Sequence, residues 1–222
     1  MLPTPSISNL NIERVYEPAE DSFLFLDVLQ DELPFIRERF STANAPTPLV
    51  VEIGLGSGIV TTFFQKNILT NALFLGTDIN PYACSQSKET SKENGDPKYF
   101  DALRTNLLDG LRPGLVDVLL FNPPYVPDDT VPSFESAVKT DDWLDFALLG
   151  GCDGMQVTSV VLDHLTEFLN LERGVAYILF CRRNKPTEVA KLMRTRGWIV
   201  DLIEERQAGW EVLSVWKFSK AK

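Results

Sequence analysis

The sequence is poor in the residues that build metal centres and histidine-based active sites. It holds one histidine, His164, and three cysteines, Cys84, Cys152 and Cys181, far apart along the chain. With no CxxC pair and no second histidine, the chain alone does not supply the ligands of a zinc site, and no metal is expected. His164 falls on the flank of an expected helix and reads as a surface or packing residue, so no histidine base is in view. An odd, sparse cysteine count speaks against a disulfide framework and for buried thiols in a reducing compartment. Basic residues are also scarce: 21 Lys and Arg stand against 31 Asp and Glu, a formal net charge of −10. That balance disfavours direct binding to nucleic acid, whose phosphates reward clustered cations. No apolar run reaches the roughly 18 residues of a membrane span. The opening MLPTPSISNLNIERVYEP lacks a basic stretch followed by an apolar one, so no signal peptide is expected. Repeats and low-complexity tracts are missing too. The expectation is a soluble chain of one domain, residues 1–222, located in the cytoplasm with the nucleus also open to it.

What is present has a clear rhythm. Residues 1–15 are expected to be extended, with Pro3 and Pro5 opposing helix. From Pro18, apolar residues at Phe23, Leu24, Leu26, Val28 and Leu29 predict a helix over 19–30, with a second to Phe40 and a polar linker over 41–48. LVVEI at 49–53 is a strand ended by Gly54. GLGSG follows, then a helix over 59–68 and a strand LFLGTDI at 73–79. Asn80 and Pro81 read as an N-cap and first-turn proline of a helix to Asn94. Further strands are expected at 98–103, 116–121 and 175–181, helices at 155–169 and 186–196, and two closing strands at 198–204 and 212–218. Residues 126–142, with Pro127, Pro132 and several acids, read as irregular. Alternating strands and helices call for a parallel sheet covered on both faces. The last two strands are too close for a helical crossover, so one of them runs antiparallel.

Two places carry chemistry. GLGSG between a strand and a helix lets backbone approach a ligand. Asp78, 24 residues after Gly54, closes the next strand, where a carboxylate can accept both hydroxyls of a ribose. Alone, the glycines are a tight turn; with Asp78 they describe a site for an adenosine-containing ligand. Glu52 near the end of the first strand is either a capping carboxylate or a partner for a cationic group. Asn106 and Leu107, after the third strand, could be no more than a turn.

The second place is FNPPY, Phe121–Tyr125. Pro124 holds Pro123 extended, and each ring fixes its own φ. Neither proline donates, so carbonyl acceptors stand free beside the carboxamide of Asn122. Two rigid acceptors at a strand end suit a planar NH2 group, which has two hydrogens to donate. Tyr125 offers an aromatic face for stacking. An amide or exocyclic amine nitrogen is a poor nucleophile. Hydrogen bonds from it to Asn122 and the Pro123 carbonyl would build up its charge and aim it at an electrophilic methyl group. By itself the stretch could also be a stiff strand-to-loop turn.

VVEIGLGSG, TDIN and FNPPYV, in this order and spacing, resemble the class I S-adenosylmethionine-dependent methyltransferases of the amino-methylating branch. VYEPAEDSFLFLD and ERQAGWEVLSVWKF narrow the resemblance to the eukaryotic HemK-related release-factor glutamine methyltransferases, over essentially the whole chain. The resemblance implies a Rossmann-like seven-stranded sheet of order 3-2-1-4-5-7-6 with strand 7 antiparallel. It implies a core over 49–222, with residues 1–48 contributing helices that close over the cofactor. Ser22 and the preceding Glu20 and Asp21 would fall where the first of these helices closes. Ser22, Glu52, Gly54, Gly56, Asp78, Asn106, Leu107 and Asn122 would bind S-adenosylmethionine. Asn106 stands where relatives often carry Asp. Asn122, Pro123, Pro124 and Tyr125 would hold the acceptor amide, with Asn122, Pro123 and Tyr125 as the catalytic set. The implied substrate is the Gly-Gly-Gln glutamine of the class I release factor, alone or with its GTPase partner. The implied partner is a small zinc-binding activator subunit, for which the open edge at Tyr99 and Phe100 is the candidate contact.

Two other enzymes remain open from the residues alone: an adenine amino-methyltransferase acting on nucleic acid, disfavoured by the charge, and a lysine-directed protein methyltransferase. A non-catalytic cofactor-binding subunit is a third possibility, disfavoured by the intact motifs.

Overall fold

The computed structural model describes residues 1–41, 46–95 and 99–220. Residues 42–45 of the expected linker, and the expected strand start at Lys98, lie outside the described residues. Seven strands form one sheet: β1 Leu49–Ile53, β2 Leu73–Asp78, β3 Phe100–Arg104, β4 Val118–Phe121, β5 Val175–Cys181, β6 Ile199–Ala208 and β7 Glu211–Ser219. Their order is β3-β2-β1-β4-β5-β7-β6, as expected. The first five strands in that row pair in parallel; β7 runs antiparallel to both β5 and β6. The ranges of β1 and β5 agree with the sequence reading. Both are almost wholly apolar, which is what a sheet covered on both faces demands.

Successive residues of the central strands feed opposite cores. Val50, Leu120, Tyr177 and Val215 pack under helices α1 (Glu20–Asp31), α2 (Leu33–Phe40) and α3 (Ile59–Phe63). Val51, Leu119, Ile178 and Trp216 pack under α7 (Gln156–Phe168) and α8 (Pro186–Thr195). Helix α4 (Pro81–Glu93) begins as predicted: Asn80 Oδ1 accepts from Tyr82 N–H at 2.9 Å, with Pro81 in the first turn.

Some departures have physical reasons. The expected helix at 59–68 turns into a π-helical turn after Phe63, over Phe64–Ile68. The expected irregular stretch contains two short helices, α5 (Phe134–Thr140) and α6 (Leu144–Leu148), each under two turns and too short to show a periodicity. Val116 is not in β4; it makes a single parallel bridge to Leu169. The hairpin strand β6 runs on to Ala208, because as an edge strand it exposes Ile199 and Leu202 and lacks the apolar pattern that marks its neighbours.

The first ten residues form a strap without regular structure; residues 12–15, expected to be extended, instead close a turn in which Arg14 N–H and Val15 N–H both donate to Asn11 O, at 3.0 and 2.9 Å. Ser6 and Asn94 exchange two hydrogen bonds, of 2.9 and 2.7 Å, and Ser8 donates twice to Glu93 at the end of α4. Helix α1 is held at the far side by the last strands: Arg206 pairs with Asp27 at 2.8 Å, and Glu32 accepts from Tyr177 and Lys217 at 2.8 Å each.

Candidate active site

A cavity of about 540 Å³ opens at the carboxyl ends of β1, β2 and β4, on the line where the strand order reverses. Its floor is the glycine turn. Gly54 N–H donates to Thr77 O at 2.8 Å, which pins the turn to β2. Gly54 has φ +73°, and a Cβ there would point at the Asn122 carbonyl, 3.9 Å away. The turn is thus shaped for backbone to face a ligand, and side chains would narrow the space.

Asp78 sits across that turn. Its Oδ2 accepts from Gly56 N–H at 3.1 Å and its Oδ1 from Asn80 N–H at 2.8 Å. Burial pushes its carboxyl up to about 6, while the backbone N–H groups of Asn80, Gly56, Ile79 and Leu55 pull it down. Glu52 lies beneath, only 3% exposed, and accepts from both the N–H and the hydroxyl of Thr61. Burial drives its carboxyl up to about 8 against those two hydrogen bonds, with Asp78 adding to the rise. Two acidic groups in one cavity wall, each destabilised as an anion, suit a ligand that brings a positive charge and hydroxyl donors.

The structure brings Ser22, Glu52, Gly54, Gly56, Asp78, Asn106, Leu107, Asn122, Pro123 and Pro124 to this one cavity. Leu107 stands in left-handed backbone, φ +47°, a conformation disfavoured for a residue with a Cβ and often found at binding sites. Tyr125 is placed differently. It is not among the residues lining the cavity; it is half-buried and packs toward the α1 side of the sheet. Its phenol is held far above its ordinary value by burial first, then by Asp21, Glu211 and Tyr16.

Asn122 is the central feature. Its amide nitrogen donates to Asp21 Oδ2 at 2.9 Å, and its amide oxygen is buried with no hydrogen-bond partner among the described residues. A buried acceptor left open is costly, and such exceptions mark places where something else completes the bond. The loop after it is fixed by residues that the sequence reading did not single out. Asn184 Nδ2 donates to Tyr125 O and to Asp153 O, both at 3.1 Å. Gly150 N–H donates to Val126 O at 2.9 Å, and a Cβ on Gly150 or Gly154 would run into the carbonyls of Pro124 or Tyr125. The GGCDG run at 150–154 was the available signal, since three glycines in five residues imply close backbone approach.

Asp21 has a larger part than the sequence reading gave it. It is buried, in the first turn of α1, with the Tyr16 phenol against it; burial, Asp21 and Glu211 push that phenol up to about 12. The roof comes from Val15 and Tyr16 of the strap and from Val131, Phe134, Trp143 and Phe146, in or beside the stretch expected to be irregular.

The chain is similar to known proteins. A family model described as the methyltransferase small domain matches residues 35–135. The chain is 38% identical over 97% of its length to the eRF1 methyltransferase catalytic subunit mtq2 of Schizosaccharomyces pombe, covering 94% of that protein. It is 37% identical over 93% of its length to the methyltransferase HEMK2 of Homo sapiens, covering 90% of it. Among solved structures, the Mtq2-Trm112 complex of E. cuniculi, described as responsible for methylation of the eRF1 translation termination factor, matches with a TM-score of 0.66. The identity there is 25%, with 94% of this chain and 99% of that chain covered. On relationships that run nearly end to end, the chain belongs to the HEMK2/Mtq2 family of methyltransferases.

Proposed function

We propose that this chain is the catalytic subunit of a heterodimeric S-adenosylmethionine-dependent methyltransferase. Its substrate in this reading is the class I translation release factor, methylated on the side-chain nitrogen of the glutamine in the Gly-Gly-Gln motif. The observation that carries the reading is the open, buried amide oxygen of Asn122 at the cavity, next to two prolines that donate nothing.

The cavity fits the cofactor. Asp78 would hold the ribose hydroxyls, Asn106 and Leu107 would flank the adenine, and Glu52, Gly54, Gly56 and Ser22 would surround the methionine and ribose. When bound, S-adenosylmethionine supplies a methyl group on a positively charged sulfur. The protein's part is orientation. Asn122 Oδ1 and the Pro123 carbonyl accept the two hydrogens of the glutamine NH2, which turns its nitrogen lone pair toward the donor and raises its charge. Pro124 keeps this frame stiff, and Tyr125 backs it from the α1 side.

For the partner, the reading is a small zinc-binding activator seated on the β3 edge at Tyr99 and Phe100. Support comes from the sheet order, which leaves β3 terminal, and from the exposure of Tyr99 (57%) and Leu103 (41%). Beside Tyr99, a groove holds Thr62 and Gln65, whose hydroxyl and amide nitrogen are buried without partners among the described residues. A Tyr99→Asp variant should lose co-purification with the activator while its own fold persists. The setting proposed is the cytoplasm, with the nucleus also open, and the release factor bound to its GTPase partner or free.

The deciding experiment offers the chain with its activator three acceptors: wild-type release factor, release factor with that glutamine replaced, and an adenine-containing oligonucleotide. Methyl transfer to the first alone is expected. Equal transfer to the replaced factor, or transfer only to the oligonucleotide, overturns the substrate.

A further inference from the structure

We propose that Asp21 is the positioning residue of the acceptor site. In this view its carboxylate decides which end of the Asn122 carboxamide faces the substrate. The inference rests on the reading of Asn122 as acceptor of the amide hydrogens.

Both oxygens of Asp21 are committed, and the Tyr16 phenol is a further hydrogen-bond partner of the carboxylate. Oδ1 accepts from Ser22 N–H at 2.7 Å and from the Ser22 hydroxyl at 3.3 Å, and Oδ2 accepts from Asn122 Nδ2 at 2.9 Å. Asp21 is 4% exposed, so solvent does not compete. A carboxylate accepts and does not donate. The end of Asn122 that meets it must be the NH2, and the oxygen is turned away, where it stands buried and open. A charged acceptor also polarises the amide and makes that oxygen a stronger acceptor. Asn122 ends a strand of the core, whereas Asp21 belongs to α1. The recognition geometry is therefore finished by an element outside the nucleotide-binding half of the sheet.

The simpler role is local: a first-turn acid whose carboxylate serves an early N–H of its helix. The two roles part at Asp21→Asn. Asp21 lies past the N-cap, where loss of a first-turn negative charge is a small effect, so a purely local role predicts a mild change. Asparagine has one acceptor and one donor end, however, and this position needs two acceptors. If the new oxygen stays on Ser22, the new NH2 meets the NH2 of Asn122. Asn122 then relieves the clash by turning over and showing its own NH2 to the substrate NH2, donor against donor. A reciprocal exchange, Asp21→Asn with Asn122→Asp, repairs this. In that double variant the introduced carboxamide keeps its oxygen on Ser22 and donates to one oxygen of the introduced carboxylate, whose other oxygen faces the substrate.

The test measures kcat for release-factor methylation by the heterodimer, binding of S-adenosylhomocysteine by calorimetry, and Tm. For Asp21→Asn, kcat should fall by about a hundredfold or more, with cofactor-product affinity and Tm close to wild type. The double variant should recover at least about tenfold over the single one. A single variant within about threefold of wild type in kcat, or a double variant no better than the single, overturns the positioning role and leaves the substrate assignment standing. A wild-type heterodimer that does not methylate the release factor overturns both.

Discussion

Arg14 and Asp141 form an ion pair of 2.8 Å that ties the amino-terminal strap to the segment roofing the cavity. The same guanidinium lies over the Tyr82 ring, 4.1 Å from its centre, and Asp141 also accepts from Trp143 Nε1 at 2.8 Å. Trp143 is a cavity wall, so the pair acts on the site through one intermediate side chain. Both partners are partly exposed, and such pairs contribute about 0.2–1 kcal/mol. Arg14→Ala should therefore lower Tm by no more than about 4 °C and weaken cofactor binding about two- to fivefold. The wild-type affinity should show the steeper decline with added salt. An Arg14→Ala protein with wild-type cofactor affinity at low salt would show that the ion pair does not act on the site.

Asn122→Ala separates recognition from cofactor binding. Loss of the acceptor should cut kcat by about a hundredfold or more, since a single preorganised hydrogen-bond partner is worth that much in comparable sites. Cofactor affinity should stay within about threefold, because Asp78, Glu52 and the glycine turn are untouched. Single-turnover methylation alongside calorimetry reads both; persistence of transfer would displace Asn122 from its assigned role.

The buried Glu52 carboxyl gives a pH dependence of definite sign. Its value in the fold, about 8, lies above the ordinary one, so the folded state binds the proton more tightly than the unfolded chain does. Stability linked to Glu52 is fully present below the unfolded value and is lost as pH rises through about 8. Asp78, raised to about 6, adds a slope of the same sign at lower pH. The cofactor-free Glu52→Gln protein should therefore gain in stability relative to wild type as pH goes from about 5 to about 9, by an amount on the order of a few kcal/mol. Thermal unfolding across that range reads the effect, and a Tm difference that does not change with pH would contradict the linkage.

Gly58 is fixed by two constraints at once. Its φ is +78°, and a Cβ would sit 2.6 Å from Ser87 Cα on α4. Backbone cannot yield as a side-chain tip can, so Gly58→Ala must push α3 and α4 apart. The expected cost is about 2–4 kcal/mol, seen as a Tm loss of several degrees in thermal unfolding. An alanine variant of unchanged Tm would mean that the helices separate freely.

The sheet was legible because its strands are buried on both faces and its turns carry distinct chemistry. LVVEI and VAYILFC could be bounded to the residue, and Asn80-Pro81 marked a helix start without ambiguity. The cavity floor followed from the same signals. The roof did not. Phe134 and Phe146 sit on helices too short to print a period, Trp143 stands just before the second of them, and the strap that brings Val15 and Tyr16 is irregular chain ending in a turn, held by hydrogen bonds to side chains of α4 and its C-cap. The task of Asp21 was hidden for another reason. An acid in the first turn of a helix is ordinary, and only the fold shows Asn122 standing across from it, 101 residues away. Tyr125 shows the reverse: the motif put it in the site, whereas its ring lies beside the cavity wall.

The seat of α1 has a consequence for how the protein is made. Asp27 finds Arg206 across 179 residues and Glu32 finds Lys217 across 185, so the seat of α1 is completed only when β6 and β7 are in place. Contacts this distant in the chain form late. A nascent or truncated polypeptide can carry the glycine turn and FNPPY intact and still be unable to aim Asn122.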